Sequence, residues 1–290
     1  MKSRKIAAIV ALALCSAFAL VGCRGKKDVY APDKIIYAVG TNADTVERLL
    51  AELREDNTKT DETSRKNAAL ITAVKKDDTA ELKRLIKAGA DVNAKDKNDW
   101  TALMCTLQSN QISAARLLIA AGADVNAEDD YGNTVLAFAV ICHAEDIIRL
   151  LIAAGADVNK ANNVGSTALI DVSSRGTLDI AKMLIEAGAD VNAAGDRGQT
   201  ALIMAAFGNR ADITKVLLEA GANVNAARKD GNTALMYAAE RDAEDVAELL
   251  IAAGADISAK DSDGKTALML AKEHDAQDVI ALLKAAGAKE

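Results

Sequence analysis

Apolar residues in this chain gather in short clusters at helical spacing, divided by polar stretches of nearly constant length. In "AEDIIRLLIAA", Ile147, Leu150, Leu151 and Ala154 share one helical face. Ahead of it, "VLAFAVIC" follows the turn-rich "DDYGNT" and predicts a first, shorter helix. Thr134 stands at its start, where a hydroxyl can accept a free first-turn N–H. Between the two helices sits His143, in a slot that other copies fill with Asp77, Asn110, Gly176, Asn209, Asp242 and Asp275. These residue types tolerate positive φ better than β-branched ones, so the slot predicts a left-handed helix stop. Gly155 ends the second helix, and "ADVNKANNVG" leads to the next unit.

The unit recurs. Gly-Ala falls at Gly89, Gly122, Gly155, Gly188, Gly221, Gly254 and Gly287, a step of 33 residues, and Thr101, Thr134, Thr167, Thr200, Thr233 and Thr266 keep the same step. Two markers locked to one period without insertions define a tandem array. Two short helices and a turn in 33 residues resemble the ankyrin repeat. The resemblance runs from about Ala68 to Glu290 in seven copies. The family's Thr-Pro-Leu-His becomes Thr-Ala-Leu followed by Met104, Ile170, Ile203, Met236 or Met269, which leaves the fold expectation intact. That expectation is an all-α ankyrin-repeat solenoid of stacked helix pairs with hairpin-like connecting turns. Lys272 and Lys284 replace the apolar residues of internal copies, as a solvated terminal unit requires. Residues 67–290 are read as the seven repeats, and 32–66 as an N-terminal capping helix pair with its linker.

The first residues follow a different pattern. "MKSRK" is basic, an apolar run extends from Ile6 to Val21, and Gly22-Cys23 follows. This is the order of a secretory signal, and the run falls short of the ~20 residues that span a bilayer comfortably. "LVGC" (Leu20 to Cys23) resembles the lipobox of bacterial lipoprotein signals. The resemblance implies a signal peptide over 1–22, acylation of Cys23 as the mature first residue, and a tether over 23–31. With Arg24 after the cysteine, it favours the outer membrane over the inner one, the folded part facing the periplasm of the bacterial envelope.

Composition narrows the function. The net charge of −7 argues against nucleic acid as partner, since that surface demands a basic footprint. Aromatics are only 3% of residues, and Ala and Leu dominate the apolar ones, which suits thin helical layers. Cys142-His143 is the nearest thing to a nucleophile with a base, but adjacent helical residues point apart and no orienting third group is evident. The recurring Asp-Val-Asn is explained by turn chemistry rather than metal ligation, and each glycine near a helix is a stop rather than part of a phosphate loop. The reading is a non-enzyme without metal or cofactor. Cys105 and Cys142 occupy different registers and are read as free thiols.

The resemblance to ankyrin repeats also implies where a partner binds: a concave face of turn tips and first-helix ends. In the second to fifth copies those slots hold Trp100, Tyr131, Ile141, Cys142, Val164, Arg175, Arg197 and Phe207. Only five aromatics lie in the array, and three of them fall in these slots. Trp, Tyr and Arg are the types enriched where truncation weakens binding most. The expected function is a monomeric, lipid-anchored module that binds a protein partner, as an adaptor, inhibitor or immunity-type factor. The alternative is a structural tether or spacer without a dedicated partner.

Overall fold

The computed structural model describes residues 62–289. The signal segment, Cys23, the tether and residues 32–61 of the expected capping pair lie outside the described residues.

Each repeat is built by the same local chemistry. The threonine that opens the first helix is extended, and its Oγ1 accepts the N–H three residues on. This holds at Thr101, Thr134, Thr167, Thr200, Thr233 and Thr266, with distances from 3.1 to 3.4 Å. The first helices are α1 (62–75) and, each opened by one of these threonines, α3 (Ala102–Cys105, continued by a 3-10 turn over Thr106–Ser109), α5 (Val135–Ile141), α7 (Ala168–Arg175), α9 (Ala201–Phe207), α11 (Ala234–Glu240) and α13 (Ala267–Glu273). The second helices are α2 (Thr79–Lys87), α4 (Ile112–Ala120), α6 (Glu145–Ala153), α8 (Leu178–Glu186), α10 (Ala211–Glu219), α12 (Glu244–Ala252) and α14 (Gln277–Ala285). The last residues of the stretch read as linker, 62–66, already belong to α1.

The left-handed stop forms at six of the seven slots, with φ from 48° to 56° at Asp77, Asn110, His143, Asn209, Asp242 and Asp275. Gly176, the residue best suited to that conformation, does not adopt it; its φ is −80° and its ψ −171°. There α7 takes one more residue than its neighbours α5 and α9, and the Gly176 N–H bonds the Val172 carbonyl at 2.7 Å. Glycine is needed for room instead. A Cβ would stand 2.0 Å from Val172 Cγ2 and 2.7 Å from its carbonyl oxygen.

First helices pack on first helices and second on second. Leu103, Leu136, Leu169, Leu202, Leu235 and Leu268, the leucines of Thr-Ala-Leu, are buried in one layer, and Leu118, Leu151, Leu184, Leu217, Leu250 and Leu283 in the other. The column holding Val74, Leu107, Val140, Ser173, Ala206 and Ala239 is buried throughout, and ends in the exposed Lys272 of the last copy. The terminal unit therefore turns a stacking surface into a solvated one, as its sequence predicts.

Asparagine joins the copies. Asn93, Asn126, Asn159, Asn192 and Asn225 each accept, through Oδ1, a backbone N–H of the following connection at 2.7–2.8 Å. Four of them also donate through Nδ2 to the carbonyl of the next helix-ending glycine. In the sixth copy Ser258 takes this place, and its hydroxyl turns back to Asp256 at 2.6 Å. The Asp-Val-Asn phrase thus shapes each turn and fastens it to its neighbour.

Candidate partner-binding face

The connecting turns close as hairpins, with single bridges such as Glu128 to Thr134 and Ala194 to Thr200. Their tips stack in register. The Tyr131 carbonyl accepts from the Asn163 N–H at 2.9 Å, Val164 from Asp196 at 3.0 Å, and Arg197 from Lys229 at 2.9 Å. Tyr131, Val164 and Arg197 are therefore equivalent positions on three consecutive tips. Gly132 permits this approach, because a Cβ there would lie 2.6 Å from Asn163 Oδ1. In the preceding copy the equivalent residue is Asp99, left-handed at φ 59°, and the tip ladder begins only at Tyr131.

Five large apolar side chains are exposed among the described residues: Tyr131 (73%), Ile141 (57%), Val164 (57%), Phe207 (38%) and Met269 (42%). Four of them are the apolar residues that sequence reasoning placed on this face. Isolated exposed apolar groups are ordinary, whereas these four stand on three consecutive copies. Tyr131 and Val164 are at tips, while Ile141 and Phe207 are the last residues of α5 and α9. Arg175 ends α7 and Arg197 lies at its tip, both exposed.

Trp100 differs from the others. Its ring is half-buried against Phe138, 5.1 Å between centroids at 49°, and both pack on the core. It supports the α3 and α5 end of the face.

At the opposite end is a group that residue-by-residue reading did not assemble. Phe207 meets Tyr237 edge-on at 5.6 Å, and the Arg241 guanidinium lies 4.4 Å over the Phe207 ring. Such a cation over an exposed ring contributes on the order of 0.5–1 kcal/mol. Tyr237 is core, as its register predicts, and its hydroxyl accepts from Arg228 Nη1. Burial pushes the Tyr237 phenol above its ordinary pKa, against the pull of the nearby Arg228 charge. The available signal for Arg241 was its place eight residues after Thr233, one slot from where Phe207 stands after Thr200.

Cys142 and Cys105 are both free, the first exposed and the second buried. Burial pushes the Cys105 thiol up to about 11, so it remains protonated near neutrality. His143 is exposed at the left-handed stop after Cys142. Among the described residues no three His, Cys, Asp or Glu side chains gather as metal ligands, and no helix is long and apolar enough to cross a membrane.

The family model described as ankyrin repeats (3 copies) matches residues 35–129, 70–162, 126–195, 192–261 and 227–289. Its first match begins inside the stretch read as the N-terminal cap. Among solved structures, the chain is similar to the ankyrin repeat domain of Bcl-3, a member of the IκB protein family. That match has 29% identity and a TM-score of 0.66, over 73% of this chain and 97% of the other. It is also similar to an ankyrin repeat domain from Acinetobacter baumannii AYE, at 38% identity and a TM-score of 0.62, over 64% of this chain and 98% of that one. A search of curated proteins finds no match.

Proposed function

The chain belongs to the ankyrin-repeat family, and on that footing we propose that it binds a protein partner through the groove face of its central repeats while anchored to the bacterial envelope by acyl chains on Cys23. One observation carries the site: four of the five large apolar side chains left open among the described residues lie at tips and first-helix ends of the third to fifth copies. A surface kept apolar at the cost of solubility is otherwise selected against. Trp100, packed on Phe138, shapes the rim, while Tyr131, Ile141, Val164, Arg175, Arg197 and Phe207 make contact. The role is that of an adaptor, inhibitor or immunity-type factor acting as a monomer without catalysis. Two or more acyl chains at Cys23 would hold the module stably at the periplasmic face, outer membrane favoured by Arg24.

Crosslinked capture from intact envelopes tests both parts. The wild type is compared with a Tyr131→Ala/Ile141→Ala/Phe207→Ala variant that keeps its helical circular dichroism. A protein recovered by the wild type and lost from the variant supports the groove; equal recovery, or none, favours a spacer without a dedicated partner. Cys23→Ser should move the protein from the membrane fraction to the soluble one, and retention in the membrane would refute the anchor.

A further inference from the structure

The groove face is chemically divided along its length. At the third and fourth copies it offers Tyr131, Ile141 and Val164, all apolar and exposed. From the fourth to the sixth it offers Arg175, Phe207 and Arg241, with Arg197 and Lys229 exposed on the adjoining tips. None of the ion pairs among the described residues involves Arg175, Arg197, Lys229 or Arg241. Beyond this zone two of the cations on this face are paired. Lys75 holds Asp96 at 2.8 Å in the early copies, and Lys265 holds Glu273 at 2.6 Å in the last.

The zone is geometrically continuous. Gly208 lies so close to the end of α7 that a Cβ would stand 2.3 Å from the Ser174 carbonyl oxygen, which sets the Phe207 end of α9 directly beside Arg175. Arg241 reaches across from α11 to cover the Phe207 ring at 4.4 Å. The Lys229 N–H on the Arg197 carbonyl fixes the two basic tips side by side. Three acidic residues share this edge: Glu240, half-buried beside the exposed Arg241, Asp196, exposed beside Arg197, and Asp230, which pairs with Arg228 at 3.4 Å, so the cations outnumber them. In a chain of net charge −7, a local run of unpaired guanidiniums around an aromatic ring is the complement of an acidic ligand.

We propose that the partner presents an extended segment with an apolar block and an acidic block, the apolar side chains lying over Tyr131, Ile141 and Val164 and the carboxylates over Arg175, Phe207 and Arg241. This deepens the groove reading and rests on it. Three repeat steps at the 8–10 Å of packed helices separate the third copy from the sixth, roughly 24–30 Å, which about seven to nine extended residues cover.

The test uses fluorescein-labelled peptides of about ten residues, four apolar then five acidic, and the reverse order. Matched controls carry Lys or Ser in place of the acids. Fluorescence anisotropy on the full mature chain should show one acidic peptide binding about tenfold or more tighter than its Lys and Ser counterparts, with the preference fading at high salt. Arg175→Glu/Arg241→Glu should invert the order, favouring the Lys peptide. Equal binding of the three, tighter binding of the Lys or Ser peptide by the wild type, or no binding would overturn the proposal. A Ser peptide that binds and is lost on Tyr131→Ala/Ile141→Ala would keep the groove and remove only its acidic specificity. Sedimentation of the protein alone covers the remaining occupant: self-association abolished by Arg175→Glu/Arg241→Glu would assign the patch to a second copy and overturn the proposal.

Discussion

Asn159 makes three bonds at once: its N–H to Asp157 Oδ1 at 2.9 Å, its Oδ1 to the Asp190 N–H at 2.7 Å, and its Nδ2 to the Gly188 carbonyl at 3.1 Å. Asn159→Ala removes the two bonds between copies, and urea unfolding should show a loss of ~1–3 kcal/mol. Asp171 is the opposite case, a carboxyl at the slot that holds Phe138 and Met204 in neighbouring copies. Burial raises its pKa, partly offset by the Ser166 hydroxyl that donates to it at 2.6 Å. A carboxyl whose folded pKa is raised has its full stability below the unfolded value near 3.8, and loses it as pH rises through the folded value. Asp171→Asn should therefore raise the unfolding midpoint at pH 7, and the gain should vanish near pH 3. A gain that persists at pH 3 would place its origin elsewhere. Local chemistry of this kind was partly legible. Thr capping and the polar helix stops follow from residue type, but the asparagine bonds depend on a partner 31 positions away, which no single copy displays.

At the scale of the element, Gly176 shows where reading by slot fails. Its register called for a left-handed stop, yet α7 extends to Arg175 and the glycine serves to clear Val172. Gly122 is the reverse, left-handed at φ 88° with open space where a Cβ would go. Gly122→Ala should cost roughly 1 kcal/mol from conformation alone. Gly176→Ala should cost more, ~1–3 kcal/mol, because helix backbone must shift. Thermal melts of the two variants check the order, and a smaller loss at Gly176 would contradict the packing account. The helix pairs and their faces were readable because apolar spacing sets them directly. The pairing of Trp100 with Phe138, and of Arg241 with Phe207, was not: both join side chains of neighbouring copies, and the choice of rotamer decides which one stays open.

Over the whole molecule, one period decides the architecture and the departures from it decide the surface. Positions that repeat faithfully, such as Leu136 and Leu151 with their equivalents, are buried, whereas Tyr131, Ile141, Val164, Arg175, Arg197 and Phe207 stand where the copies diverge and face outward. The proposed partner face is made of these exposed, divergent positions. The anchoring expected at Cys23 belongs to residues outside the described part, so it rests on the leader pattern. The central claim is that the partner meets the tip and first-helix face and not the second helices. A photo-crosslinking amino acid placed at Ile141, and in a second version at Arg149 on α6, tests it in intact envelopes. The groove account expects one discrete crosslinked protein from position 141 and none from 149. A crosslink from 149 alone, equal yields from both, or none from either would contradict it.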